Sequence, residues 1–223
     1  MKTLVLSSVA LVAVLGWGAE AEAVKLIGNL PVNNRSYANV SSEFPMAAGF
    51  RLPPGSDYSL ESAIFRLRLP TLSTPMVTLW TEGGNNRPDT MISTLIDQTP
   101  PSTIFQDHCF VPPSRTVLES STTYWLGITT DSTSRSRWGR NDPMTFPTGI
   151  ATYAGHCYWF DGWLRANTGL AYGFEVRAQV VPEPSTLVLL NLGLACLLLY
   201  ARRRKRNAGP LKRKKGHSTF PEK

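Results

Sequence analysis

Three cysteines and three histidines in 223 residues leave little material for a disulfide-dense scaffold or a metal cluster. Local enzyme signatures are missing too: there is no Gly-x-Ser-x-Gly, no His-Glu-x-x-His and no glycine-rich phosphate loop. No long stretch between the two hydrophobic ends carries a helical period, which argues against alternating βαβ units. Positive charge is lacking where a nucleic-acid reader needs it. Residues 24–181 hold 12 Lys plus Arg against 12 Asp plus Glu, whereas residues 201–223 hold 10 basic residues against Glu222 alone. The net charge of +7 is therefore a property of the tail, and a nucleic-acid partner is not expected.

What is present begins with a leader. Lys2 precedes an apolar stretch, LVLSSVALVAVLGWG, and the small residues of AEAEA follow, which together form the pattern of a secretory signal at 1–23 with Ala21 and Ala23 as cleavage residues. The alternative, a first membrane helix, suits a longer stretch than this one, which Glu20 and Glu22 close. Everything from Val24 onward is then expected outside the cytoplasm.

The other end repeats the theme in reverse order. Residues 186–201 are an apolar run of sixteen that, as a helix, reaches about 24 Å at a rise of about 1.5 Å per residue. A hydrocarbon core is about 30 Å thick, so the span needs local bilayer thinning and snorkelling by the basic residues that follow. Those are Arg202, Arg203, Arg204, Lys205 and Arg206, placed as a cytoplasmic stop that also touches anionic lipid. A buried core helix is the alternative, but core helices are rarely followed by such a cluster. Asn191 is polar and near the middle of the run. Ahead of it, Pro182 and Pro184 flank Glu183 and lead to Ser185, and two fixed φ angles predict a stiff, open linker between the folded body and the membrane. Residues 207–223 form a basic tail, expected in the cytoplasm.

Val181, Pro182, Glu183, Pro184, Ser185 and Thr186, then an apolar run with Gly193 and Leu194, then Arg202, Arg203 and Arg204, resemble the PEP-CTERM sorting signal of bacterial surface proteins. The resemblance covers residues 181–206. It implies recognition by exosortase, a membrane-embedded cysteine protease-transpeptidase, with cleavage near Pro-Glu-Pro and transfer of the exported part to the cell surface or extracellular matrix. Such signals usually stop soon after the basic cluster, whereas here NAGPLKRKKGHSTFPEK follows.

Between the ends, residues 24–180 read as β throughout. LAYGFEVRAQV alternates, with Tyr172, Phe174, Val176 and Ala178 on one side and Gly173, Glu175, Arg177 and Gln179 on the other. Phe65, Leu67 and Leu69 share a face, as do Tyr124, Leu126 and Ile128, and MVTLW and MISTLI follow the same rule. PPGSD, EGGNN, TPPS and VPPS mark turns. The expected fold is all-β, an antiparallel β-sandwich of jelly-roll type, flanked by the signal peptide and a C-terminal transmembrane helix at 186–201. AAGFRL, LESAIFRLRL, PMVTLWTEGGNNRPDTMISTL and LESSTTYWLGI are similar to the choice-of-anchor R domain found ahead of such sorting signals; this likeness spans residues 44–180 and implies a fold more than an activity.

Candidate sites are few. Export allows a disulfide between Cys109 and Cys157, whose closed loop of about 48 residues stabilises by roughly 4 kcal/mol in the chain-entropy model. Cys196 lies inside the apolar run as a small hydrophobe. A zinc site of His108, Cys109, His156 and Cys157 competes poorly, since adjacent strand residues face opposite ways, and with the disulfide formed the histidines read as exposed polar neighbours. No metal and no other cofactor are expected. Asp142, Asp161 and Glu175 are the carboxylates that could in principle converge for glycoside cleavage, but fold class supplies no site, and no catalytic residue is assigned.

Binding has better material. SRWGRND and YAGHCYWFDGWLRAN gather Trp138, Tyr153, Tyr158, Trp159, Phe160 and Trp163 near Arg140, Asp142, Asp161 and Asn167. Aromatic faces beside hydrogen-bonding groups suit sugar rings, so Trp138, Trp159, Trp163 and Asp161 are the candidate glycan contacts, with about half of the aromatics expected in the core. The leading expectation is a noncatalytic surface or matrix protein, held at the inner membrane, sorted by exosortase and associated with exopolysaccharide. The alternative is a permanent single-pass membrane protein with an outer carbohydrate-binding domain.

Overall fold

The computed structural model describes residues 22–69, 73–131, 135–159, 161–164, 169–182 and 184–207, with backbone alone at 184–188 and 204–207. Most of the expected signal at 1–23, including Ala21, and all of the basic tail beyond Asn207 lie outside the described residues, as does Glu183. The chain divides into two compact units between Val181 and Pro182.

The first unit is antiparallel β. Its strands, among the described residues, are β1 (Val24–Gly28), β2 (Ser36–Val40), β3 (Met46–Arg51), β4 (Tyr58–Arg68), β5 (Pro75–Glu82), β6 (Pro88–Asp97), β7 (Gln106–Val111), β8 (Thr116–Leu118), β9 (Thr123–Thr130), β10 (Ser136–Arg140), β11 (Thr148–Gly149), β12 (Thr152–Tyr158) and β13 (Phe174–Val180). They hydrogen-bond in the order β11-β1-β13-β4-β7-β6-β5-β9-β3-β12, with β10 joining β2 to β4 and β8 adding to β4. The antiparallel class is the expected one. The strands join into one nearly closed sheet, and a jelly-roll sandwich of two sheets is not shown. The reason is β6: it pairs with β5 from Pro88 to Leu95, then passes to β7 at Ile96 and Asp97 and carries the ladder from one half to the other.

The period-2 patterns place the core. Tyr172, Phe174, Val176 and Ala178 from β13 and its approach, Phe65 and Leu67 from β4, and Tyr124, Leu126 and Ile128 from β9 are all buried in one cluster that both halves share. The halves meet ring to ring, Tyr153 of β12 against Phe174 of β13 at 6.4 Å. Trp138 lies at the centre, 5.2 Å from Phe65 and 5.0 Å from Tyr172, and its Nε1 donates to the Gly173 carbonyl at 2.9 Å.

Among the described residues the second unit holds one helix, α1 (Pro184–Asn207). It starts inside the proline motif, so Pro184 and Ser185 belong to a helix and the open linker is shorter than expected. Proline suits a first helical turn, where its φ is already set and its missing N–H would have no intrahelical partner. The helix also continues through residues 202–206, where cations meet the negative end of the helix dipole. Among the described residues no helix is long and apolar enough to cross a membrane, so the expected transmembrane helix at 186–201 is not shown by the structure. The apolar run is about 6 Å short of a typical hydrocarbon core, and the rest of the helix is basic. Leu189, Leu190, Leu192, Leu197 and Leu199 are exposed along it.

Candidate functional site

The expected disulfide is not formed: Cys109 and Cys157 are free thiols. Strand alternation explains it. His108 and Phe110 turn inward from β7, and His156 and Tyr158 turn toward the core from β12, so the cysteines between or beside them point outward from opposite halves of the sheet. Both histidines are correspondingly 0% exposed rather than surface neighbours. His108 Nδ1 lies 2.9 Å from Asp97 Oδ2 and its Nε2 lies 3.3 Å from Gln106 Nε2; His156 Nδ1 lies 3.1 Å from the Leu170 carbonyl. Cys109 is half-buried on β7, and burial pushes its thiol up. Burial pushes the Cys157 thiol up to about 12. No group of three or more His, Cys, Asp or Glu side chains suited to a metal occurs among the described residues.

The three carboxylate residues belong to different elements. Asp142 follows β10 and exchanges hydrogen bonds with Asn33, Glu175 on β13 pairs with Arg177 at 2.7 Å, and Asp161 is exposed in the turn after β12.

The candidate glycan contacts divide. Trp138 is wholly buried in the core and is removed from the set. Trp159 and Trp163 come together instead on the outer face of the β5-β9-β3-β12 half. They bridge each other across a short hairpin whose tip holds Asp161 at φ 51° and Gly162 at φ 118°, and their rings meet edge to face at 5.3 Å. Phe160 lies outside the described residues. Three contacts fold this hairpin down onto the sheet. Trp159 N–H donates to the Pro45 carbonyl at 2.9 Å, Arg87 Nη1 donates to the Trp163 carbonyl at 3.3 Å, and the Cys157 thiol lies 3.9 Å from the Asn86 carbonyl.

Small residues make the seat. On β3 and β9, Ala47 stands opposite Gly127 and Gly49 opposite Trp125. A Cβ at Gly49 would come within 2.7 Å of the Trp125 ring, so only glycine lets that indole lie across the strand. Gly127 plays the same part beneath Trp80, whose Nε1 donates to Thr78 Oγ1 at 2.7 Å. Trp80 in turn meets Trp163 edge to face at 6.2 Å. The result is an aromatic hollow of about 220 Å³ whose lining includes Met76, Trp80, Met91, Trp159 and Trp163. Next to it, across the Arg87 contact with Trp163, a hollow of about 480 Å³ is lined by Glu82, Gly84, Asn85, Asn86 and Arg87 at the β5–β6 turn.

Trp80 and Trp125 were not among the expected contacts. Their signal was available: in MVTLW, Val77 and Leu79 take the inward positions, which leaves Trp80 facing out, and in TTYWLGI the same alternation puts Trp125 opposite Tyr124 and Leu126. A tryptophan on the outer face of a half-buried strand needs either a cover or a ligand.

The C-terminal segment after β13 is the second candidate site. β13 ends at Val180, paired with Tyr58, and Val181 N–H donates to the Asp57 carbonyl at 2.9 Å. Pro182 is exposed beyond that last bond. The basic residues Arg202 and Arg203 are exposed on α1, and Arg204, Lys205 and Arg206 continue its backbone. Residues 180–205 match the model of the PEP-CTERM protein-sorting motif. No curated protein matches the chain.

Proposed function

We propose that this chain is an exported, noncatalytic surface or matrix protein that exosortase sorts, and that its β unit associates with extracellular polysaccharide. The match at 180–205 carries the reading, because the motif is the recognition signal of exosortase and so implies that enzyme as processing partner. Its position supports the same view. A cut at Pro182 or beyond leaves every described strand paired, since the last bond of the β unit is the one from Val181 to Asp57. The product is a complete folded body separated from its handle.

In this reading the segment 186–201 enters the bilayer as a transient anchor, thinned lipid compensates for its length, and residues 202–206 stay on the cytoplasmic side. Membrane lipid is thus a partner of the handle alone. The likeness of residues 44–180 to the choice-of-anchor R domain fits a body built to be displayed at the cell surface.

Mass measurement of the mature protein, from cells with and without exosortase, tests this. A C-terminus between Pro182 and Ser185 that reverts to Lys223 without the enzyme is the expected result. An intact Lys223 in both strains replaces the proposal with a permanent single-pass protein. Recovery of uncut protein outside the cell, never membrane-associated, overturns both.

A further inference from the structure

We infer that the cleft formed by Trp80, Trp159 and Trp163, together with the β5–β6 turn beside it, is a binding site for a neutral sugar ring. This deepens the polysaccharide part of the reading above and is independent of sorting.

Three observations carry it. First, the site has two chemistries side by side: aromatic faces and Met91 line the hollow of about 220 Å³, while Glu82, Asn85, Asn86 and Arg87 line that of about 480 Å³. A pyranose is built the same way, with apolar C–H faces and a hydroxyl rim, and ring stacking with peripheral hydrogen bonds satisfies both parts. Among the residues that line the larger hollow, Glu82 and Arg87 are of opposite charge, a balance that favours an uncharged sugar over a uronic acid.

Second, Trp163 is only 8% exposed and its Nε1 is buried without a hydrogen-bond partner. A buried donor left unmade is costly, and such groups in native proteins mark an absent acceptor. The Nε1 of Trp125 is in the same state, and neither nitrogen is accessible from the hollow as it stands, so a ligand hydroxyl reaches Trp163 Nε1 only when the ring that lines the hollow turns.

Third, the cleft is built and not incidental. Gly49 and Gly127 make room for Trp125 and Trp80, and the hairpin that presents Trp159 is held to the sheet at Pro45 and to the β5–β6 turn at Arg87. Trp159 keeps 40% exposure in spite of this, as a stacking platform must.

The test titrates cellohexaose and maltohexaose into the full chain, held in a zwitterionic detergent that contains no sugar, and follows tryptophan fluorescence. Saturable binding of at least one oligosaccharide is expected, weakened at least tenfold in Trp159→Ala and largely kept in Trp159→Phe. If Trp159→Ala fails to fold, Asn85→Ala on the exposed turn carries the test, with severalfold weakening expected. Absence of saturable binding to both sugars overturns the assignment, as does unchanged affinity in the folded variant. So does an apolar dye, anilinonaphthalene sulfonate, that fills the cleft and is displaced by neither sugar. Either result stands apart from the mass of the mature C-terminus, so loss of the sugar site and loss of the sorting route are told apart.

Discussion

Replacing Trp138 separates the core from the cleft. Its indole touches Phe65 and Tyr172, and its N–H donates to the Gly173 carbonyl, with no exposed surface. Truncating a buried tryptophan to alanine costs about 3–5 kcal/mol, from lost transfer energy and the cavity left behind. With a urea slope of about 2 kcal/mol per molar, the unfolding midpoint falls by roughly 1.5–2.5 M. Trp138→Phe keeps most of the ring and loses the donor. Arg66 N–H still donates to the Gly173 carbonyl at 3.0 Å, so that acceptor is not orphaned and the cost is about 1–2 kcal/mol. The assay is urea unfolding of the full chain in detergent, run beside the oligosaccharide titration. Lower midpoints with unchanged affinity in folded Trp138→Phe are expected. An unchanged midpoint in Trp138→Ala, together with weakened sugar binding, would place this ring at the ligand and refute the core assignment.

Gly49→Ala forces a methyl into the Trp125 ring and is expected to destabilise by about 1–3 kcal/mol, read as a lower melting temperature; an unchanged value would show that the indole does not lie there. Alkaline pH should weaken the fold. The Cys157 thiol is held up to about 12 from an ordinary 9.0, and the Tyr153 and Tyr172 hydroxyls are held well above theirs by burial. Groups whose folded values are raised contribute stability below the unfolded values and lose it as pH rises, so melting temperature should fall progressively above about pH 9. A flat profile to pH 11 would contradict the burial, and Cys157→Ala should lessen the earliest part of the slope, to which the raised Cys109 thiol also contributes. Non-reducing peptide mapping should find no crosslink between Cys109 and Cys157; finding one would overturn the outward placement of the two thiols. Replacing residues 202–206 by glutamine should reduce the fraction of chains cut near Pro182 at least severalfold, measured by the mature mass, because the positive stop sets the orientation of the handle.

Alternation made much of the β unit legible. Once Phe65, Leu67, Tyr124, Leu126, Phe174 and Val176 were assigned to inward positions, the core followed, because in a strand the side-chain direction is local information. The sorting motif was legible for a similar reason: prolines, an apolar run and a cationic cluster act in sequence order and need no fold to bring them together. Even the failed disulfide was implicit, since the parity that turned His108 and His156 inward turned their cysteines out.

Distance-dependent matters were not available in that way. That Trp138 is core while Trp159 is cleft depends on which strands β10 and the hairpin after β12 pack against. That the two halves join into one continuous ladder depends on where β6 changes partner. Local chemistry along the chain therefore determined the β class, the inward residues and the C-terminal address. Only the tertiary structure decided which tryptophans meet, which thiols stay apart and where an aromatic face adjoins a polar turn, because those depend on contacts between residues far apart in the chain, such as Trp80 with Trp163, Arg87 with Trp163 and Pro45 with Trp159.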